Sequence, residues 1–410
     1  MALSGFRHQV YTNGPPSAPF EVFDEPQPVT PKQIEFRKRL ASSGAAFASA
    51  GVAAVYLVHG TFVGNDLAGV IMGLDRLAPG LAGRLGRARK TITDVLTGEG
   101  GNYVPRFADE FESGINQATE EKISVKRFVW SGQNNHIARA DGAIRLLNEL
   151  ACFAGSLPPE KLEAVLRVQL WGHSHGGNVL ALLSWLLASD NEQLQALLHA
   201  ARDHRRSWWG ARRDTPHWEE AESILQNESH PVRRLQLDMV SFGAPIRHAW
   251  AADGYAKLLH FVNHRPRVGL PAYTSDYGRG LLTKAFFTDR DSVQQVGIAG
   301  SDFPPLLIGG RTFVADWRLR RFFEQDLGPG WLLSRLRAGK KVAEQGKTLL
   351  VDYRHYRGGL MPSMRGHWVY TLRSRLPWHA EVVAREFYGA ATESEGAGDH
   401  ENAPEREVLQ

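Results

Sequence analysis

A serine flanked by histidines and glycines lies in the segment LWGHSHGGNVLALL, residues 170–183. The residues before Ser174 are typical of a strand, and GNVLALLSWLLAS after it is typical of a helix. A strand, a tight turn and a helix in this order can present a serine hydroxyl as a nucleophile. Gly172 and Gly176 favour the turn because they carry no Cβ that would collide where strand and helix meet. The first helical turn would then direct N–H groups, including that of His175, at the negative charge formed when a serine attacks a carbonyl.

The elements that must position Ser174 alternate between short apolar runs and longer helical patterns. Several apolar runs are too continuous to have a solvent-facing side, as in a parallel sheet covered by helices on both faces. Helical patterns such as ARADGAIRLLNELACF separate the first runs, so the units are strand, helix, strand and the fold class is α/β. The predicted strands are AAVYLVHG (53–60), SVKRFVWSG (124–132), LRVQLWGHS (166–174), LQLDMVSFGAP (235–245), KLLHFVNH (257–264), VQQVGIAGSD (293–302) and KTLLVDYRHY (347–356).

The chain divides into an arm, one large domain and a tail. Residues 1–45 are predicted to form a proline-rich extended arm and a helix, and residues 46–390 a single α/β domain. Insertions of lid type are expected at about 67–120 and 190–232, because they exceed the minimal repeat. Residues 391–410 carry six acidic side chains against one basic side chain, a composition that predicts disorder.

Composition excludes several classes of protein. The chain has 410 residues and a net charge of +4, and no apolar run is long enough to span a bilayer. No secretory signal is recognised near the start, and the lone Cys152, expected to be buried in a helix, cannot form an internal disulfide. We therefore expect a cytoplasmic protein. Its arginines are scattered and accompany no nucleic-acid motif, so nucleic acid is not an expected partner.

Four segments together resemble the α/β-hydrolase superfamily, in particular its serine esterases and lipases. They are LVHGTF, WGHSHGGN, VSFGAP and RGHWVY, and the likeness runs from about residue 53 to 375. The resemblance implies an α/β-hydrolase fold, a mostly parallel central sheet flanked by helices, with lid-like insertions. It also implies hydrolysis of carboxylic esters through an acyl-enzyme, with no cofactor and no metal.

The resemblance assigns a nucleophile, a base and an oxyanion site. Ser174 would be the nucleophile, and the family order of serine, acid and histidine points to His367 in MPSMRGHWVYTL as the base. His355 is less suitable because it lies in a predicted strand. The oxyanion would be bound by the backbone N–H of Thr61, or of Phe62 as second choice, together with that of His175.

Two further histidines, His59 and His173, are expected to line the substrate site. His59 ends the predicted strand VYLVHG, and His173 directly precedes Ser174. The alternative for the His59–Gly60 pair is an ordinary glycine turn that closes a strand.

The acid is where the sequence departs from the family. Many lipases place an aspartate after the strand that here reads HFVNHRPRVGLP, and this stretch has no carboxylate. Asp302 is our first choice, because it ends the predicted strand VQQVGIAGSD; Asp276 is the second choice and Asp291 the third.

Other functions remain open from the sequence. The missing carboxylate suggests a non-catalytic α/β-hydrolase-like binding protein as runner-up, and the same triad could cleave thioesters or amides. No metal-ligand pattern or phosphate loop is present. The expected partner is a small ester or lipid, and HRRSWWGARRDTPHW (204–218), with Trp208 and Trp209 between arginines, is either a surface loop or a lid edge that contacts a lipid surface.

Overall fold

The structure is a computed structural model. The described residues are 15–61, 102–158, 160–161, 165–204, 216–245, 247–266, 269, 271–274, 291, 293–294, 310–323, 341–353 and 366–389.

A seven-stranded sheet forms the centre of the fold, and each pair of neighbouring strands is parallel. The strand order is β1-β7-β6-β5-β4-β2-β3. The α/β class and the parallel sheet are therefore confirmed. The strands are β1 (Phe20–Asp24), β2 (Val52–Val58), β3 (Ser124–Phe128), β4 (Arg167–His173), β5 (Gln236–Phe242), β6 (Lys257–Asn263) and β7 (Lys347–Asp352).

Helices cover both faces of this sheet. The described helices are α1 (Ile34–Ser49), α2 (Pro105–Ile115), α3 (His136–Gly155), α4 (His175–Ala188), α5 (Asn191–Ala200), α6 (Pro216–Gln226), α7 (Gly310–Phe323) and α8 (Leu376–Tyr388). The largest apolar cluster joins the sheet to α3, α4, α5, α6 and α7, and a second cluster joins the opposite face to α1, α2 and α8.

Strand β2 shows why the sheet needs both helix layers. Ala54, Tyr56 and Val58 belong to the first apolar cluster, whereas Val55 and Leu57 belong to the second. Successive side chains of a strand point to opposite faces, so a strand that is apolar at every residue must be covered twice. The continuous run VAAVYLV therefore specifies a central strand.

The order of the strands reverses at β2. From β2 the chain places β3 on one side, and β4 then lies on the other side of β2. In open parallel sheets, ligands bind outside the carboxyl ends of the strands where the order reverses in this way. The residues that follow β2 and β4, namely His59–Gly60 and Ser174, lie at this point.

The arm near the start of the chain is part of the sheet rather than a separate extension. Phe20–Asp24 pairs with β7, in a register from Phe20 opposite Thr348 to Asp24 opposite Asp352. Glu25, directly after β1, forms a buried ion pair with Arg375 at the start of α8. This strand was missed in the sequence because it is short and surrounded by prolines.

Two sequence predictions are wrong in the described part of the chain. Val293 and Gln294, which we expected to begin a strand, are helical. Cys152 is exposed. Its helix α3 buries Leu147, Leu150 and Ala151 on one face, and the residue after Ala151 points about 100° away from that face.

The two predicted insertions are described only in part. Helix α2 lies in the first, and α5 and α6 lie in the second. Trp218 of α6 is fully buried in the main apolar cluster, so this helix is part of the core layer. Residues 62–101 and 205–215, and with them Phe62, Trp208 and Trp209, lie outside the described residues. No helix in the described ranges combines the length and apolarity needed to cross a membrane.

Candidate active site

Ser174 occupies a strained turn between β4 and α4. Its backbone has φ 53° and ψ −131°, and it is the only residue other than glycine with a positive φ in the described part of the chain. Such a conformation costs on the order of 1–3 kcal/mol and persists only where surrounding contacts impose it. The turn predicted from GHSHG is therefore confirmed.

Close backbone contacts impose this conformation. A Cβ on Gly172 would lie 2.8 Å from the backbone nitrogen of Gly177, and one on Gly176 would lie 2.4 Å from the carbonyl oxygen of Val58. Ser174 itself donates its backbone N–H to the carbonyl oxygen of Phe242 at 2.9 Å. The start of α4 is thus pressed against the ends of β2 and β5, with Ser174 held between them.

The loop after β2 contacts the turn directly. A Cβ on Gly60 would lie 2.7 Å from Cβ of Ser174 and 3.3 Å from Nδ1 of His173. Thr61 is the last described residue of this loop, and it is half-buried. Gly60 and Ser174 are therefore in close contact. The residues that directly follow them, Thr61 and His175, are the two proposed for the halves of an oxyanion site.

His59 braces this loop against the neighbouring strand end. Its Nδ1 donates to the carbonyl oxygen of Gly60 at 2.8 Å, and its Nε2 accepts the backbone N–H of Trp130 at 3.3 Å. The indole of Trp130 stacks on the imidazole and donates to the carbonyl oxygen of His59 at 2.8 Å. Because protein groups use both ring nitrogens, His59 suits a supporting role better than substrate binding.

His367 and Asp291 form a buried pair next to the turn. Nδ1 of His367 donates to both carboxylate oxygens of Asp291, at 2.8 and 2.9 Å, and the two residues are only 4 and 3% exposed. Nε2 of His367 is buried, and no described residue forms a hydrogen bond with it. An imidazole held in this way has Nε2 available to accept a proton.

His173 connects the serine turn to this pair. Its Nε2 donates to the backbone carbonyl of His367 at 3.0 Å, and the two rings are 4.8 Å apart. We expected His173 to line the substrate site. That stays a prediction, and the contact shows that His173 also supports the backbone of His367.

Asp291 accepts hydrogen bonds from two further donors. Its Oδ1 accepts the backbone N–H of Gln294 at 2.8 Å, so the carboxylate also caps the helical turn that follows it. Its Oδ2 accepts the hydroxyl of Tyr370 at 3.1 Å. Gln294 in turn donates from its side chain to the carbonyl of Ala244 at 2.9 Å, which ties the capped turn to the end of β5.

Among the described residues, the acid that contacts His367 is thus Asp291, the third choice from the sequence. The first and second choices, Asp302 and Asp276, lie outside the described residues. A neutral imidazole has one N–H, and Asp291 already accepts it with both oxygens. We therefore prefer Asp291 to Asp302 as the acid that orients His367.

The sequence contains a local signal for the role of Asp291. Asp291-Ser-Val-Gln294 has the spacing of a helix capping box, in which the first side chain accepts the N–H of the fourth residue. The signal for Tyr370 is its spacing of three residues from His367, which places two side chains on one side of a helical turn. Neither signal by itself indicates contact with His367.

The described residues offer no obvious metal site. No group of three or more His, Cys, Asp or Glu side chains within these ranges could hold a metal ion.

No protein-family model, no curated protein and no solved structure matches the chain. The function is therefore inferred from the fold and the site alone.

Proposed function

We propose that this chain is a serine hydrolase of the α/β-hydrolase type that cleaves carboxylic esters. One observation carries the proposal: Ser174 lies in a strained turn at the carboxyl end of β4, and His173 beside it contacts a buried His367–Asp291 pair. A serine is a weak nucleophile at neutral pH, so a base of this kind is what it requires. The reversal of strand order at the same edge of the sheet supports a ligand site there.

The proposed reaction runs through an acyl-enzyme. The hydroxyl of Ser174 attacks the ester carbonyl carbon while Nε2 of His367 takes its proton, and Asp291 stabilises the imidazolium. His367 then gives this proton to the leaving alcohol as the carbon–oxygen bond breaks. A water molecule, deprotonated by His367, attacks the acyl group, and the acid leaves with the serine hydroxyl restored.

The negative oxygen of each tetrahedral intermediate requires N–H donors. In the proposal these are the backbone N–H of His175, at the start of α4, and that of Thr61 or Phe62 after β2. The N–H groups of a first helical turn have no acceptor within their own helix. The close approach of Gly60 to Ser174 supports an N–H donor from the loop after β2, because a side chain at Gly60 would push that loop away from Ser174.

The serine must turn toward His367 for the reaction to begin. Nε2 of His367 has no hydrogen bond to any described residue, Ser174 included. Catalytic hydrogen bonds are often long before substrate binds and shorten in the reacting complex. The two side chains are buried, and the scarcity of water strengthens the interactions between the charges that develop.

The runner-up, a non-catalytic binding protein, was suggested by the absence of a carboxylate after β6. The contact between Asp291 and His367 removes this reason. Thioesters and amides are substrates of the same chemistry, and they serve as further arms of the test rather than as a separate proposal.

The proposal is tested with purified protein and p-nitrophenyl esters of short and medium acyl chains. We expect hydrolysis by the wild type, its loss in Ser174→Ala, and labelling of Ser174 by a fluorophosphonate. Ser156→Ala, an exposed serine at the end of α3, is the matched control and should keep full activity. The proposal that the chain is an enzyme would be refuted if neither wild type nor Ser174→Ala hydrolysed esters, thioesters or amides and the fluorophosphonate did not label Ser174.

Contact with a lipid surface is a further part of the proposal, and α7 supports it. Phe313, Val314 and Trp317 are exposed, and Arg320 and Arg321 follow on the same side of the helix. The guanidinium of Arg321 lies 4.8 Å from the ring centre of Trp317. The one acidic residue of α7 is buried, so this face is aromatic and cationic, which complements anionic lipid.

Vesicle co-sedimentation tests this contact. Trp317→Ala should weaken binding to vesicles that contain phosphatidylserine, more at low salt than at high salt. Ile34→Ala, an exposed apolar residue on the opposite side of the sheet, is the control. Binding that is absent in the wild type, or equal in both variants, would contradict a role for this face.

The cytoplasm is the proposed location, supported by the use of a single cysteine in 410 residues. Cell fractionation tests it, and recovery of the protein outside the cytoplasm would contradict it.

A further inference from the structure

Tyr370 bridges the candidate triad and the central sheet. Its hydroxyl donates to Oδ2 of Asp291 at 3.1 Å and accepts the backbone N–H of Asn263, at the end of β6, at 2.7 Å. The side chain is buried, and Gly243 leaves it room, because a Cβ there would lie 2.4 Å from the tyrosine ring.

The direction of these two hydrogen bonds is fixed by chemistry. A backbone N–H can only donate, so the tyrosine oxygen must accept it. The single hydroxyl proton is then left for Asp291. Burial, together with the charge of Asp291, raises the pKa of Tyr370 well above its usual value, so the proton is retained across the range in which a histidine titrates.

The carboxylate of Asp291 is held at both oxygens as a result. Oδ1 accepts from Gln294, and Oδ2 accepts from Tyr370, while His367 donates to both. A donor to Oδ2 fixes the rotation of the carboxylate. It also partly neutralises the carboxylate charge, which weakens the stabilisation of the His367 imidazolium by Asp291.

We propose that Tyr370 is a positioning residue, which holds Asp291 in register with His367 and sets how readily His367 takes up a proton. The inference rests on the proposed function, since it assigns Tyr370 to the same reaction. Few titratable side chains among the described residues face His367 and Tyr370. Asp291 and His173 contact His367, and Tyr353 lies beside Tyr370.

Tyr353 provides a matched control. It is buried, its ring is 5.5 Å from that of Tyr370, and its hydroxyl interacts with His379 rather than with Asp291. Tyr370→Phe and Tyr353→Phe therefore each remove one buried hydroxyl from the same aromatic cluster. Only the first removes a donor to the carboxylate.

The experiment compares kcat, KM and the pH profile of kcat/KM in the two variants. We expect Tyr370→Phe to lower kcat roughly tenfold with little change in KM, the scale expected for losing a hydrogen bond to a charged group. The acid limb of its profile should move to higher pH, because the carboxylate left with more charge stabilises the imidazolium. Tyr353→Phe should leave the acid limb unmoved.

A second measurement follows His367 without turnover. Nitrogen-15 labelling of histidine, with the signal identified by its loss in His367→Gln, gives the midpoint of its titration by nuclear magnetic resonance. A midpoint that moves upward in Tyr370→Phe and not in Tyr353→Phe supports the inference even if the wild type hydrolyses no ester, in which case only the proposed function fails. An unmoved midpoint, or equal shifts in both variants, overturns the role of Tyr370.

Discussion

Both carboxylate oxygens of Asp291 accept the Nδ1 proton of His367, at 2.8 and 2.9 Å. The aspartate thereby fixes which ring nitrogen carries the proton, and it leaves Nε2 directed away from the pair. An amide in its place could not accept with both atoms, and it would favour the wrong tautomer.

Asp291→Asn is therefore expected to cut turnover by about three to four powers of ten, while the fold is retained. Asp302→Asn and Asp276→Asn are the comparison variants, because both aspartates were preferred from the sequence. Steady-state kinetics of the three purified proteins gives the ranking. A greater loss in Asp302→Asn than in Asp291→Asn would return the role to Asp302.

The strain at Ser174 predicts an unusual order of stability. With φ at 53° and ψ at −131°, any side chain is unfavourable there, whereas glycine enters the region at little steric cost. Ser174→Gly should exceed Ser174→Ala in unfolding free energy by about 1 kcal/mol or more. At an unstrained residue, a glycine variant is ordinarily less stable than the alanine variant. If urea unfolding gives Ser174→Ala an unfolding free energy equal to or above that of Ser174→Gly, the turn stores no strain.

Gly60 provides a test of the contact between the two halves of the site. An alanine Cβ would lie 2.7 Å from Cβ of Ser174, so the loop and the serine must move apart. A displacement of about 1 Å can lower catalysis roughly a hundredfold, and we expect a loss of kcat/KM of this size in Gly60→Ala.

The control for this change is Gly155→Ala at the end of α3, where the added Cβ would meet no described atom within 4 Å beyond its chain neighbours and the local helix backbone. This variant should keep its activity and gain a little stability. Full activity in Gly60→Ala would show that the loop after β2 does not need this close approach.

Much of the sheet could be predicted because the local sequence pattern of most strands is distinctive. A run such as VAAVYLV is apolar on both faces, and GHSHG between a strand and a helix leaves few backbone conformations for the serine. The pairing of β1 with β7 could not be predicted, because FEVFD is a short segment whose partner lies more than 300 residues away in the sequence.

The acid illustrates a different limit. A local motif predicts His367, whereas the ends of predicted strands favour other aspartates than Asp291, which lies at the start of a helical turn. The residues DSVQQVGIAG fit a capped helix as well as a strand, and short apolar runs cannot separate the two by period alone. Which of several aspartates meets His367 depends on long-range folding that local spacing does not encode.

Buried neutral histidines predict how stability depends on pH. Nε2 of His379, on α8, accepts the hydroxyl of Tyr353 at 3.0 Å, and burial together with the charge of Arg375 lowers the pKa of His379 to about 3. Burial also lowers the pKa of His260, on β6, to about 4. Each folded pKa lies below the value near 6.5 of an unfolded chain. The unfolded state therefore binds more protons between these values, and stability falls as the pH drops below about 6.5.

His379→Gln removes one of these protonation sites while keeping an acceptor for Tyr353. At pH 7 the variant should be less stable than the wild type, because the packing of the imidazole is lost. From pH 6.5 to pH 5 the wild type should lose stability faster, so the difference in unfolding free energy between the two should narrow by roughly 1.5 kcal/mol. Urea unfolding at half-unit steps of pH measures this, with His199→Gln on the exposed side of α5 as the control. If the difference between wild type and His379→Gln stays constant from pH 7 to pH 5, His379 does not carry a depressed pKa in the folded protein.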